Sequence, residues 1–200
     1  FGFEPLLLNG LDKVYCYLPS MRGENPDQRH LNQFFHCEAE IKGDISTLIP
    51  LIEGYVKILC EGILLMPNII RLISKNSATT IAALETVSKS ATFPQISFDA
   101  AVDLLVKNGM GEMVTTTPSG RDINSKGETA LFEIMNLKTP LWVTNYDRER
   151  VPFYQKPDPG NIMKTLNADL LFPPLIKDSF GGEIVGCGQR QDSAEEMRES

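Results

Sequence analysis

The sequence predicts an α+β fold built on an antiparallel sheet. Three observations point to it. Lys13 to Met21 and Gln33 to Ile41 read as strands on either side of a polar stretch. Segments with helical periodicity follow. Beyond Pro140 the chain returns to short strand-like runs. Strands placed around a helical insert, rather than alternating with helices, indicate α+β.

The first two strands form a predicted hairpin, because the stretch between them, Gly23 to Gln28, holds the turn signal Asn25-Pro26-Asp27. Asp44 or Ser46 can cap a helix carrying Leu48, Ile49, Leu51, Ile52 and Val56 at helical spacing. Thr79 to Ser90 reads as a second helix. Ser97 to Asn108 reads as a third, with Ser97 as N-cap and Gly109 just past its end. Ser125 to Met135 reads as a fourth. Leu141 to Tyr146, Phe153-Tyr154, Ala168 to Phe172 and Glu183 to Gln189 are the remaining predicted strands. The longest apolar region, Val56 to Ile73, contains Lys57, Glu61, Pro67, Asn68 and Arg71, so it is read as core helix and turn and not as a membrane span.

A length of 200 residues fits a single domain over the whole chain. The net charge of -7 argues against a wide basic surface for nucleic acid on this segment. Cys16, Cys37, Cys60 and Cys187 form no C-x-x-C pair, which argues against a zinc site and for reduced thiols in a cytoplasmic protein. The chain starts at Phe1 and ends on charged, helix-forming residues, so a fragment of a longer protein is expected.

Side chains alternate between faces along a strand. From Gln33 to Ile41, one face carries Phe35, Cys37, Ala39 and Ile41 and is the expected core side. The other carries Phe34, His36, Glu38 and Glu40. A hairpin can bring Arg22, Glu24, His30, Phe34, His36 and Glu38 over one site, where an arginine fork suits phosphate or carboxylate and an aromatic face suits a base. Alternation alone fits a solvated polar face better.

Arg22-Gly23-Glu24, a loop and His30-Leu31-Asn32-Gln33-Phe34 resemble motif 2 of the class II aminoacyl-tRNA synthetases. The longer run MRGENPDQRHLNQFFHCEAEI resembles its asparaginyl form within the asparaginyl/aspartyl family. A separate block, GEIVGCGQR from Gly182 to Arg190, is similar to a second family segment. DINSKGETALFEI, TPLWVTNYDRERVPFY and NADLLFP fall in the family's order. The resemblance implies a class II synthetase-like antiparallel sheet flanked by helices, with a helical insert after the motif 2 hairpin.

It also implies roles. Arg22 would grip the α-phosphate and the amino-acid carboxylate, stabilising charge as pyrophosphate leaves. Glu24 would face the adenine amino group, Phe34 would stack on adenine, and His30 would reach the distal phosphates. Asp169 and Glu183 would hold Mg²⁺. Arg190 would take the substrate's side-chain oxygen. Glu38, where the aspartate branch has Asp, favours asparagine over aspartate. Met21, Gln33 and Cys187 depart from the family pattern, and the stretch from Asp169 to Glu183 is longer than its spacing.

The implied function is ATP-dependent activation of asparagine, or aspartate, and its transfer to tRNA by a homodimer. The tRNA step would need an anticodon-binding domain; that domain, motif 1 and motif 3 lie outside this sequence. Two other readings are a synthetase-like asparagine synthetase, using aspartate and ammonia, and a non-catalytic paralogue acting as a binding module. No Ser/His/Asp set, Walker loop or dinucleotide fingerprint is present.

Overall fold

The computed structural model describes residues 3–27, 29–176 and 179–199, in two compact units, Phe1–Leu48 and Ile49–Ser200. Lys177 and Asp178, in the long stretch noted above, lie outside the described residues.

The first unit is a short helix α1 (Glu4–Leu7) and a hairpin of β1 (Lys13–Met21) and β2 (Gln33–Ile41). The strands pair antiparallel without a break, from Lys13 opposite Ile41 to Met21 opposite Gln33. The alternation is as predicted, but its polarity is reversed. Phe35 is 61% exposed, Tyr15 81% and Tyr17 63%, and Cys37 and Ala39 are exposed too. Phe34, His36, Glu38 and Glu40 are half-buried. Period two fixes which side chains share a face and not which face is covered. Here α1 packs on the strands, with the Cys16 thiol 3.9 Å from Glu4 Oε1, and Cys16 stands opposite Glu38. The Tyr17 and Phe35 rings stack on the open side, with centroids 5.4 Å apart.

A helix α2 (Ile45–Leu64) leads from the hairpin into the second unit. Asp44 caps it, accepting from the Thr47 amide at 3.0 Å and from the Ser46 hydroxyl at 2.6 Å. The apolar region does not run on as one helix: Pro67 opens a separate α3 (Pro67–Ile73), as proline favours a first turn. Next come α4 (Ser77–Ser88), β3 (Gln95–Ser97), α5 (Phe98–Lys107), a hairpin of β4 (Val114–Thr117) and β5 (Gly120–Ile123), and α6 (Ser125–Ile134). Ser97 caps α5, and Asn124 caps α6. The chain then forms β6 (Leu141–Thr144), β7 (Pro157–Asp158), β8 (Asn161–Thr165), β9 (Asn167–Phe172), β10 (Gly182–Gly188) and α7 (Ala194–Glu199). Phe153-Tyr154 is turn and not strand.

The central sheet runs β10-β9-β6-β3. It is antiparallel except at its far edge, where the three-residue β3 lies parallel to β6. Both faces of this sheet are covered. Val143 and Leu171 face Phe98, Ala101 and Leu105 of α5 and Ala130 and Leu131 of α6. Trp142, Ala168 and Leu170 face Val56 and Cys60 of α2, Ile70 of α3 and Leu84 and Val87 of α4. On the second face the buried Glu53 carboxylate accepts from Trp142 Nε1 and from the Phe93 amide, each at 3.1 Å. On the first, Lys164 and Arg121 bridge Asp99 and Asp147, with Lys164 Nζ 2.6 and 2.7 Å from the two carboxylates, and both cations lie over the Phe98 ring.

Candidate active site

In the hairpin unit, Arg22 leaves β1 and Asn32 enters β2. The Arg22 amide donates to the Asn32 carbonyl at 2.9 Å, while the Asn32 side chain donates to the carbonyls of Arg22 and Glu24. One asparagine therefore fixes the backbone from which both Arg22 and Glu24 project. The Arg22 guanidinium lies over the Phe34 ring, 5.8 Å from its centroid. Phe34 meets His36 edge-on at 5.1 Å, and His36 Nδ1 is 3.5 Å from Glu38. His30 sits on the connecting loop, its Nδ1 2.8 Å from Asp27. Hydrogen bonds from His30 and from the amides of Arg29 and His30 hold the Asp27 carboxyl down at about 2. Arg22, Glu24 and His30 are exposed.

In the second unit, β9 and β10 carry the acidic residues. Register places Leu171 opposite Glu183 and Asp169 opposite Gly186, with Ile184 as an extra, bulged residue between. The bulge puts Glu183 on the same face as Asp169; strict period two would have sent it to the side of Val185 and Cys187. A Cβ on Gly186 would lie 3.3 Å from both Asp169 Oδ1 and Glu183 Oε1, so the two carboxylates converge over a bare backbone. Burial first, and Glu183 second, push the Asp169 carboxyl up to about 8. The Tyr146 hydroxyl donates to it. Asn145 takes a left-handed backbone, φ 58°, at the end of β6, and the Tyr146 amide donates to Asn167 Oδ1 at 3.0 Å. Asp122, Ile123, Glu128, Leu131, Val143 and Leu171 complete the lining of a pocket around these groups.

Two residues past the end of β10 comes Arg190. Its guanidinium stacks on the Tyr154 ring, 4.6 Å from the centroid. Residues 154–156 run beside 189–191: Gln155 bridges Arg190, the Lys156 amide donates to Gln189 and the Gln191 amide to Tyr154. Cys187 points the other way, into the core against α2 to α4, where burial pushes its thiol up to about 12. That is a packing thiol and not a nucleophile.

A family model described as tRNA synthetases class II (D, K and N) matches residues 3–200. The chain belongs to this family. The asparagine–tRNA ligase of Thermococcus kodakarensis is 32% identical over 193 residues, which is 94% of this chain and 40% of that protein. That of Pyrococcus furiosus is 30% identical over 190 residues with the same coverage. The crystal structure of asparaginyl-tRNA synthetase from Pyrococcus horikoshii complexed with asparaginyl-adenylate superposes with a TM-score of 0.82 at 28% identity, over 98% of this chain and 42% of that one. The chain thus spans about two fifths of the length of the relatives it matches, 40% in both ligases. The synthetase-like α+β fold agrees with the sequence reading.

Sequence reasoning named Asp169, Glu183 and Arg190; the first two share one face of the sheet, and Arg190 lies beyond the end of β10. It named Arg22, Glu24, His30, Phe34 and Glu38, and these share the hairpin. It missed Tyr146, Glu128 and Gln155. Tyr146 follows a strand in an Asn-Tyr-Asp run, and Glu128 lies in the first turn of α6. Neither position differs locally from ordinary surface, so only the folded arrangement reveals them.

Proposed function

We propose that the protein carrying this chain activates asparagine with ATP, forming an aminoacyl-adenylate, and transfers it to tRNA. One observation supports this above the others: two carboxylates converge over Gly186, and Arg190 follows two residues after the end of the same strand. This stretch of chain offers hard oxygen ligands and, beyond them, a carbonyl-seeking fork.

Asp169 and Glu183 suit Mg²⁺, because their oxygens lie close together and each destabilises the other's charge in the absence of a cation. Bound there, the ion would neutralise phosphate charge. Tyr146 orients Asp169 through its hydroxyl. Arg22 binds the α-phosphate and stabilises the negative charge that grows as pyrophosphate leaves, which is electrostatic catalysis without proton transfer. Phe34 stacks the adenine, Glu24 accepts from its amino group, and His30 contacts the outer phosphates. Glu38 accepts from the asparagine amide, and Arg190 donates to its side-chain oxygen. A cytoplasmic homodimer fits this role; among the described residues no helix is long and apolar enough to cross a membrane.

The test is ATP–pyrophosphate exchange by the natural full-length protein with asparagine and with aspartate, followed by product analysis with tRNA and with ammonia. Asparagine-dependent exchange and charged tRNA are expected. Aspartate-dependent exchange with free asparagine as product would replace this reading with an asparagine synthetase. ATP binding without exchange would replace it with a binding module.

A further inference from the structure

Helix α2 is apolar on two opposite sides. Glu53, Val56 and Cys60 mark its inner side, which is buried. At 3.6 residues per turn, Leu51, Tyr55, Ile58 and Gly62 fall in one stripe on the opposite side. Steps of four, three and four residues along this stripe are those of a helix–helix seam. Leu59 flanks it, and Leu65 and Met66 extend it past the last turn. These side chains are exposed, Ile58 by 65% and Leu65 by 84%. A helix that is apolar all round belongs in an interior. Gly62 is a notch in the stripe: nothing lies within 4 Å of a Cβ built there, so no neighbour inside the chain requires glycine. Of the three charged residues of α2, Glu53 is buried and the half-buried Lys57 donates to the Ala91 carbonyl at 2.7 Å, which leaves Glu61 in solvent. A helix lying on a membrane carries several Lys or Arg on its polar side, and α2 has only Lys57.

We propose that the outer side of α2 is a contact between two copies of this chain, the two helices packed antiparallel about a twofold axis near Ile58 and Leu59. In a twofold contact, residue i of one copy meets j of the other and j meets i. With the axis between positions 58 and 59, Ile58 meets Leu59, Tyr55 meets Gly62, and Leu51 meets the Leu65-Met66 end. The largest side chain of the stripe then stands over the one position in it that has none. A second copy supplies that match automatically. At roughly 200 Å² for a fully exposed large side chain, the exposures of Leu51, Tyr55, Ile58, Leu59, Leu65 and Met66 amount to about 650 Å² per copy. Stable interfaces bury about 600 to 1,000 Å² on each partner, whereas a patch of this size is at the upper limit of what a monomer leaves open. The contact goes beyond the proposed function and does not rest on it.

The experiment uses the natural full-length protein carrying Ile58→Cys, oxidised with copper–phenanthroline, and locates the disulfides by peptide mass spectrometry. A disulfide joining position 58 of two copies is expected, in a yield that does not fall on dilution to the micromolar range. Because the cross-link is read at α2 itself, other interfaces of the full-length protein do not affect it. In parallel, sedimentation velocity compares the parent with Ile58→Arg, which sets two like charges at the axis. The variant is expected to dissociate at this contact, halving the number of copies per particle, with the association constant at least about 100-fold weaker. Both positions point away from the core, so the melting temperature should stay within a few degrees of the parent. No disulfide at position 58 overturns the proposal, even where Ile58→Arg fails to fold. If the introduced thiol then also resists maleimide, another segment of the same chain covers α2; if it reacts at once, the face is bare. Flotation of the parent with phosphatidylcholine–phosphatidylglycerol vesicles, lost in Ile58→Arg, would overturn the proposal in favour of a membrane surface.

Discussion

At Asp169, burial and a neighbouring carboxylate act in the same direction, and the carboxyl is raised from 3.8 to about 8. The folded chain therefore holds a proton across that window that the unfolded chain has released. Its contribution to stability is fully present below about pH 4 and is lost as pH rises toward 8, where the folded carboxylate ionises. Asp169→Asn removes the slope. The variant should match the parent near pH 4 and exceed it by at least about 2 kcal/mol at pH 8. Thermal melts of both proteins across this range, without divalent cation, check it; a constant difference at all pH values would show that Asp169 is not held protonated. The same residue is the one proposed for magnesium, so stability is given up where function needs charge.

Among elements, α2 and β6 are tied at one buried point. Glu53 takes the indole N–H of Trp142 and the amide of Phe93, with Lys57 Nζ 3.5 Å away. Glu53→Ala leaves both donors buried without an acceptor and should cost roughly 3 kcal/mol; Glu53→Gln, which keeps one acceptor oxygen, should cost less. Because the chain has one tryptophan, its fluorescence reports this unit directly during urea unfolding. Equal midpoints for parent and Glu53→Ala would contradict the assignment. Elements of this kind were readable in advance where the pattern was local. The long helices, Ser97 as a cap and the two main hairpin strands follow from periodicity and side-chain chemistry. The three-residue β3 and two-residue β7 did not, because such short strands carry no period and exist only through their partners. The covered side of β2 was misjudged for a related reason: alternation says nothing about where α1 will pack. Arg22, Glu24 and Phe34 were legible through motif resemblance, whereas Gln155 owes its position to a glycine of β10, far from it in sequence.

For the molecule as a whole, the two units differ in how much they bury. The second holds a sheet with apolar packing on both faces. In the first, Glu4 is the only residue that is fully buried among those described, and the Tyr15, Tyr17, Phe35 and Met21 side chains are largely open. A hairpin with one thin covering layer has little apolar burial to oppose its conformational entropy. In this chain, amides of β1 and β2 should exchange with solvent at least about 100-fold faster than those of β6 and β9. Hydrogen–deuterium exchange measures this, and uniform protection across both units would refute it. Within the better-packed unit, the extra residue at Ile184 sets a different kind of rule for change. The nine-residue connection from Pro173 to Gly181 can lengthen or shorten without altering which way any strand side chain points. Loss of a single residue at 184 would instead reverse parity upstream, turning the Glu183 carboxylate away from its partner and toward tightly packed helices. Length variation should thus accumulate in the connection and be absent three residues later, a tolerance boundary drawn by geometry alone.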